Sequence, residues 1–379
     1  MPRPKVWVEI NKKNLISNIL QFKKHIGQNV KLATVVKSNA YGHGIDLVSL
    51  TAQENGSDFL VVDSLIEAKQ LRKLNIFLPI LVIGYIDPED FLEAIENNIS
   101  FVLCNQEFID LISVSAKKAN KKAKVHIKAE TGTNRQGIEL NVFGQILDQI
   151  ISSGNIEIEG IYTHYANIED TTDQSYAKRQ LSAFKDFIQI AEEKNINIPI
   201  KHTASTAGAI NFPDTYFNMC RVGIGTYGLW PSQETKVTSL TRNIELNLQP
   251  IMTWKTKICQ IKNIKANSAV SYGCTEKVTH DSKICVLPVG YWDGYDRKLS
   301  SIGNVLISGK RAKILGRICM NMMMADISHI ENCKIGDEVV LLGKQGDEEI
   351  PAEEIARKIG TINYEVVTRI NPMILRVLV

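Results

Sequence analysis

Between residues 32 and 228, eight short apolar runs alternate with amphipathic helical patterns, and that alternation restricts the fold of this chain more than any other feature. The runs are 32–37, 59–63, 80–84, 101–104, 125–130, 158–164, 200–206 and 220–228. Each is short for a buried helix and too continuously apolar for a strand with one wet face. Between them helical periodicity recurs. Leu15, Ile19 and Phe22 share one face of 14–25, and Ser64 with Glu67 makes a capping box at the start of 64–75. Pro88, Glu89 and Asp90 open a further helix with a proline and two acids at the positive end of its dipole. Segments 145–151 and 181–193 also read as helices. Eight strands alternating with helices predict a parallel (β/α)8 barrel of the TIM type, with a doubly wound open sheet as the alternative. The barrel is favoured because Lys37, Arg135, His164 and Thr206 lie at or just past strand ends, where barrel sites are built. Arg221 is the exception, near the start of its run.

After Pro231 the texture changes. Helical periods nearly vanish until 352–359, and short strand patterns follow one another at 251–261, 268–272, 284–289, 305–307, 311–318, 322–327 and 338–342. Glycine-bearing turns separate them, as in a mostly-β domain. The expected organisation is a barrel over 11–235, a β domain over 236–379, and a strand within 1–10 joining the second, with the boundary in the polar stretch 230–243. With 44% apolar residues in a chain of 379, a large core is available and wholesale disorder is excluded. A net charge of +3 without a basic stripe argues against nucleic acid as the main partner. Seven scattered cysteines, none in a C-x-x-C pair, indicate free thiols rather than disulfides or a metal site. No apolar run approaches the ~20 residues of a membrane span, and 1–10 lacks a signal-peptide core. A cytoplasmic protein with no membrane partner is the expectation.

The first apolar run ends on Lys37, followed by Ser38-Asn39-Ala40-Tyr41-Gly42-His43-Gly44. Partial desolvation at the mouth of a buried strand disfavours an ammonium and makes the neutral, nucleophilic amine accessible. Such an amine forms Schiff bases with carbonyls. A strand-end lysine that merely reaches water and pairs with a carboxylate is the plainer alternative. The surrounding residues decide between them: 34–44 resembles the pyridoxal-phosphate attachment motif of the alanine racemase family, A-V-V-K-A-N-A-Y-G-H-G, departing only at Thr34 and Ser38. The resemblance implies that Lys37 carries pyridoxal 5′-phosphate and that Tyr41 helps hold its phosphate.

Further stretches carry the same resemblance. Lys128-Ala129-Glu130-Thr131-Gly132-Thr133-Asn134-Arg135 is similar to the family's K-x-D-T-G-M-x-R, in which the arginine faces the cofactor hydroxyl and the substrate carboxylate, and the lysine is often carbamylated. These roles would fall to Arg135 and Lys128. Tyr162-Thr163-His164 resembles T-H-F/Y-A, whose histidine lies against the cofactor ring. In His202-Thr203-Ala204-Ser205-Thr206-Ala207, hydroxyls precede a helix start, a natural phosphate site. The family reads H-x-A-N-S-A there, so Ser205 replaces an asparagine and Thr206 keeps the phosphate-binding hydroxyl. Arg221-Val222-Gly223-Ile224 resembles R-x-G-I, implying that the Gly223 and Ile224 N–H groups approach phosphate and that Arg221 faces the pyridine nitrogen. A guanidinium donates there and leaves the nitrogen unprotonated, so the ring is a weaker electron sink and side reactions such as transamination are suppressed.

Such a ring needs a well-placed base on each face of the substrate. Val270-Ser271-Tyr272-Gly273-Cys274-Thr275 resembles V-S-Y-G-x-T/D, where the tyrosine is the second base and enters the other subunit's barrel. A homodimer with shared active sites follows from the resemblance. A tyrosine acting as a base needs cationic neighbours, and His164 and Arg221 are the expected ones. Tyr291 and Tyr364, in segments similar to the family's G-Y-A-D-G-Y and its C-terminal tyrosine motif, would narrow the site; Tyr364 would also touch phosphate. The family's C-M-D-Q is Cys319-Met320-Asn321-Met322 here, so an amide replaces an acid beside the substrate. The resemblance, covering about 6–370, implies a two-base alanine racemase supplying D-alanine for peptidoglycan. Asn321 keeps open a serine-preferring or broad-specificity racemase. A related decarboxylase and a non-catalytic pyridoxal-phosphate carrier fit less well, because neither shares the S-Y-G tyrosine.

Overall fold

The computed structural model describes residues 4–379. They divide into two compact units, one of Leu15–Ala40 and Ile45–Gln249, the other of Met1–Asn14, Tyr41–Gly44 and Pro250–Val379. Among the described residues no helix is long and apolar enough to cross a membrane.

The first unit is built on eight strands: β2 (Lys31–Val35), β3 (Phe59–Val62), β4 (Ile80–Val82), β5 (Ser100–Leu103), β6 (Ala123–Lys128), β7 (Ile156–Tyr162), β8 (Ile200–His202) and β9 (Met219–Val222). β1, Val6–Ile10, belongs to the other unit. All neighbouring pairs from β2 through β8 are parallel, and β2 also pairs in parallel with β9. β8 and β9 meet through Asn218 N–H to Lys201 O at 3.2 Å and Arg221 N–H to Ala204 O at 3.0 Å. The sheet therefore closes on itself, and the open-sheet alternative falls away. β3 and β5 are buried at every residue, as a strand covered on both faces requires. Several strands stop earlier than the apolar runs predict: β8 ends at His202 and β7 at Tyr162. One expectation is corrected here. β9 starts at Met219 and ends at Val222, so Arg221 lies at the C-terminal end of its strand with the other candidate residues.

Helices cover the barrel as their periodicity demands. Lys12–Ile26 buries Leu15, Ile19 and Phe22, and Leu140–Ser153 buries Phe143, Ile146, Leu147 and Ile150. Ser64 and Glu67 form the capping box read from the sequence. The polar stretch expected to separate the domains instead contains a helix, Gln233–Thr241, capped by Ser232. The division between units falls at Gln249/Pro250 rather than after residue 235. The side chain of Asn18 holds this segment to the barrel, donating to Gln249 O at 2.9 Å and accepting from Gln249 N–H at 3.0 Å.

The second unit is mostly β. Its strands are β10 (Met252–Lys257), β11 (Gln260–Ile264), β12 (Ala269–Val270), β13 (Glu276–Lys277), β14 (Ser282–Leu287), β15 (Asn304–Ile307), β16 (Lys310–Leu315), β17 (Met323–Asp326), β18 (Glu338–Gln345), β19 (Glu348–Ile350) and β20 (Leu375–Leu378). The main sheet runs β11-β14-β17-β16-β15-β18-β10-β1-β20, with β19 paired to β18, and β12 pairs with β13 apart from it. The pattern read as one strand over 251–261 is two. Ile258 N–H bonds Asp337 O and Cys259 N–H bonds Val286 O, so the chain changes partners there. β1 lies antiparallel to β10 and parallel to β20. The segment Tyr41–Gly44 clusters with this unit for a steric reason. Gly42 has φ +82°, and a Cβ there would sit 2.1 Å from Val367 O. The Arg376 guanidinium donates to Gly42 O at 3.1 Å and to the carbonyls of Ile370, Asn371 and Ile374.

Candidate active site

Lys37 follows β2 directly, and its Nζ lies 3.3 Å from the Asp63 carboxylate with about a third of the side chain exposed. The next four residues, Ser38, Asn39, Ala40 and Tyr41, all have φ between +52° and +56°. This single turn of left-handed helix is made without glycine, at roughly 1–2 kcal/mol per residue. Side chains tie it down: Glu67 accepts Ser38 N–H at 2.6 Å, and Asn39 Oδ1 accepts Ile45 N–H at 2.9 Å. Glu67 also accepts Asp63 N–H at 3.0 Å, so one carboxylate orders the backbone beside Lys37 and beside its ion-pair partner.

On the neighbouring strand, β9, Arg221 is buried among acceptors that are not acids. Nη1 donates to His202 Nδ1 at 2.6 Å and to His202 O at 3.0 Å; Nη2 donates to Thr163 O at 2.8 Å and Thr203 O at 3.0 Å. Nη2 is also 3.5 Å from His164 Nδ1, and the Tyr162 ring lies below the guanidinium. Nε–H takes part in none of these bonds. Burial lowers the Arg221 pKa to about 10, which leaves it charged at neutral pH. Lys128, also buried, points its Nζ at Gln136 Oε1, 3.4 Å away. Burial, with the charges of Arg135 and Arg221 behind it, lowers Lys128 to about 8. Arg135 itself is exposed, at the end of a loop that Glu130 organises by accepting Gly132 and Asn134 N–H. Burial opposes the Glu130 charge, but these and neighbouring backbone N–H groups outweigh it and hold the carboxyl below its usual range.

His164 corrects an expectation. Burial first, then the charges of Arg221, Arg135, Lys128 and Lys37, push it down to about 3. It is neutral at neutral pH, so of the two cations expected beside a basic tyrosine only Arg221 carries charge. His202 is also pushed well below its ordinary value by burial and Arg221, and His126 is lowered by burial although Glu159 pulls the other way. Unfolded, each imidazole takes a proton near pH 6.5. Below that pH the unfolded chain holds more protons than the folded one, so stability falls as pH falls. Denaturant melts should lose stability as the pH falls from 6.5 to 5, by up to about 1.4 kcal/mol per pH unit for His164, with His202 and His126 acting in the same direction. A flat profile over that range would contradict their neutrality.

Past β8, Ser205 Oγ is buried without a hydrogen-bond partner among the described residues. Thr206 Oγ1 accepts Gly223 N–H at 3.1 Å and Gly225 N–H at 3.5 Å. The unit thus gathers Lys37, Lys128, Arg135, His164, Ser205, Thr206, Arg221, Gly223 and Ile224 at or past the C-terminal ends of its strands. Sequence reasoning gave no site role to Asp63, His126, Glu159 or His202, and read Glu67 only as part of a helix cap. Only the placement of His126 and Glu159 inside otherwise apolar strands marked them out.

The β unit assembles the remaining candidates. Tyr272, 69% exposed, follows Ser271, whose φ is +66° and whose Oγ donates to Arg317 O. Tyr291 N–H bonds Cys319 O at 3.1 Å and Trp292 N–H bonds Met320 O at 3.0 Å. A Cβ on Gly290 would sit 2.1 Å from Cys319 O, which is why a glycine precedes Tyr291. Ser271 Oγ and Cys319 Sγ are 3.5 Å apart. Tyr272, Tyr291, Met320 and Asn321 therefore share one exposed surface of this unit, beside Trp292 and Met322. Elsewhere in it the rings of Tyr41 and Tyr364 lie 6.1 Å apart.

Comparison with known proteins identifies the family. Residues 10–231 match the family description "Alanine racemase, N-terminal domain" and residues 251–378 "Alanine racemase, C-terminal domain". An alanine racemase of Methanococcus maripaludis is 41% identical over 373 residues, 98% of each chain. The solved alanine racemase of Clostridium difficile superposes with a TM-score of 0.94 at 33% identity, covering 100% of this chain and 97% of that one. That of Bacillus anthracis, solved with bound L-Ala-P, gives 0.92 at 32% identity, covering 100% and 95%. The chain belongs to the alanine racemase family and is an amino-acid racemase of that type.

Proposed function

We propose that this racemase interconverts L- and D-alanine on pyridoxal 5′-phosphate held by Lys37, with Tyr272 of a second copy of the chain working on the opposite face of the substrate. The observation that carries the reading is Arg221: a buried guanidinium that, among the described residues, donates to histidine and backbone acceptors rather than to an acid, at the strand ends that also bear Lys37. Such a donor suits an unprotonated ring nitrogen. The unpartnered Ser205 hydroxyl, Thr206 Oγ1 and the N–H groups it gathers suit a phosphate. The residues fit the cofactor. Within the barrel unit, Lys37, Arg135, His164, Ser205, Thr206, Arg221, Gly223 and Ile224 would hold it.

When bound, pyridoxal 5′-phosphate supplies an aldehyde for covalent attachment and a ring that acidifies the substrate α-carbon. Lys37 Nζ then removes or returns the α-proton of the D enantiomer, and the Tyr272 oxygen does so for the L. Neutral His164, beside Arg221, competes for no charge and withholds none. Arg135 grips the substrate carboxylate. A Lys128 amine lowered to about 8 is partly neutral near physiological pH, which supports its carbamylation and the orientation of Arg135 by the new carboxylate. Tyr272 stands in an exposed aromatic and methionine surface, which favours a homodimer in which that surface is covered. Seven free cysteines favour a reducing, cytoplasmic setting, with the D-alanine used for peptidoglycan. Racemisation of L-alanine with loss of α-deuterium to solvent, in the presence of added cofactor, is the expected result. Release of carbon dioxide, or binding of cofactor without exchange, would refute the proposal.

A second reading rests on Asn321, exposed beside Met320. An amide both donates and accepts, and so accommodates a substrate hydroxyl. The expected result is that Asn321→Asp raises the kcat/KM preference for L-alanine over L-serine about five- to tenfold, the worth of one hydrogen bond. An unchanged ratio removes the case for a serine-directed enzyme.

A further inference from the structure

Inside the barrel an unbroken line of hydrogen bonds leads away from Arg221. Arg221 Nη1 meets His202 Nδ1 at 2.6 Å; His202 Nε2 meets His126 Nδ1 at 2.8 Å; His126 Nε2 meets Glu159 Oε2 at 3.0 Å. Both imidazoles are fully enclosed, and Arg221 and Glu159 are 5% and 8% exposed, so water does not interrupt the line. Four strands contribute: β9, β8, β6 and β7.

The chemistry of the two ends sets the direction of every proton between them. A guanidinium can only donate, so His202 Nδ1 must be bare. A neutral His202 then carries its proton on Nε2, which makes His126 Nδ1 bare and puts the His126 proton on Nε2. That proton points at a carboxylate, which can only accept. The two constraints, imposed from opposite ends, agree. The surroundings hold the geometry. The Tyr162 ring stacks on His202 at 4.8 Å and 9°. A Cβ at Gly160 would come within 2.5 Å of His126 Nδ1, so a glycine is needed for the imidazoles to meet. Glu159 is anchored by Ser100 Oγ at 2.5 Å and Lys124 Nζ at 3.1 Å. Burial would raise its carboxyl, but the donors hold it below the usual range.

We propose that Glu159 is a positioning residue for Arg221, acting through His126 and His202. It locks both imidazoles in the Nε2–H tautomer, keeps the His202 Nδ1 lone pair on the guanidinium, and places a compensating negative charge at the far end of the line. Without it His126 is free to turn its proton to Nδ1. The reversed tautomer of His202 would aim N–H at N–H and push the guanidinium out of place. The functional consequence rests on the reading that Arg221 faces the cofactor nitrogen; the proton order does not.

Histidine 15N NMR on the full-length chain loaded with pyridoxal 5′-phosphate separates the two. Nε2–H tautomers are expected at both His126 and His202 in the wild type, retained in Glu159→Gln, which keeps an acceptor, and lost at His126 in Glu159→Leu. In the same preparations kcat for alanine should fall about 10- to 100-fold in Glu159→Leu and less in Glu159→Gln. The absorption maximum of the bound cofactor should shift, while KM stays within about twofold. A proton on Nδ1 of either imidazole in the wild type overturns the proposal, whatever reaction the chain catalyses. Wild-type kcat and spectrum in a folded, loaded Glu159→Leu also overturn it. If that variant does not fold, Glu159→Gln decides: a lowered kcat with intact tautomers supports the role of the charge, and an unchanged kcat and spectrum overturns it.

Discussion

Tyr272→Phe will keep its cofactor and lose racemisation by about 10²–10⁴-fold, the usual worth of a positioned general acid–base group. The loss should appear in both directions, because each direction needs a proton taken from one face and returned on the other. Exchange should not behave that way. On the proposed assignment Lys37 still serves the D face, so D-alanine labelled at the α-carbon should go on losing deuterium to solvent while L-alanine keeps it. A general loss of folding or of cofactor would suppress both exchanges equally, so the asymmetry isolates the base. Tyr272 is suited to the test because its ring is 69% exposed within its own chain, and removing one hydroxyl disturbs no buried contact there. On the proposed assignment Arg221, rather than a His164 held neutral by burial and its charged neighbours, supplies the charge that favours its phenolate. Unchanged turnover in Tyr272→Phe would refute the two-base assignment.

Lys37→Ala will have the larger effect. It removes the covalent hold on the cofactor together with one of the two bases, so the loss of turnover should exceed about 10⁴-fold. The fold should survive. The side chain is about a third exposed and its ion pair to Asp63 is itself half in water, so little stability depends on it. The left-handed turn after it is fixed by Glu67 and Asn39 rather than by the lysine. Cofactor should now bind reversibly, be lost on dialysis, and leave D-alanine exchange as well as L-alanine exchange suppressed. A Lys37→Ala chain that racemises within tenfold of the wild type, under about 1.4 kcal/mol of lost stabilisation, would mean that another amine holds the cofactor.

The barrel was legible because strands buried on both faces must be continuous apolar runs, and all eight runs became strands. Their ends were less legible. The runs continue through Lys37, His164 and Thr206 into segments that leave the sheet, since a site rim shares the apolar character of the strands beneath it. The turn Ser38–Tyr41 was not legible at all: no local preference puts four consecutive non-glycine residues at positive φ, and only contacts distant in sequence impose it. Helix Gln233–Thr241 escaped notice because it buries only Thr235 and Ser239 and shows no apolar stripe. Motif resemblance named Lys128, His164 and Arg221, which the barrel places near one another, but it gave no hint that His164 would be neutral. That follows from burial, with Arg221, Arg135 and Lys128 crowding one imidazole. His202, His126 and Glu159 were unreadable for a related reason. Their hydrogen bonds join strands 33 and 76 residues apart, and a histidine inside an apolar strand is otherwise an ordinary core residue.

The central claim is that the Lys37 amine is the group that captures the cofactor aldehyde. Borohydride, which reduces a carbon–nitrogen double bond to a stable single bond, tests it when applied to the chain loaded with pyridoxal 5′-phosphate, followed by digestion and mass spectrometry. The account predicts one pyridoxyl group per chain, on Lys37, with Lys128 unlabelled. Label on any other lysine, or none after reduction of a loaded and active preparation, would contradict it.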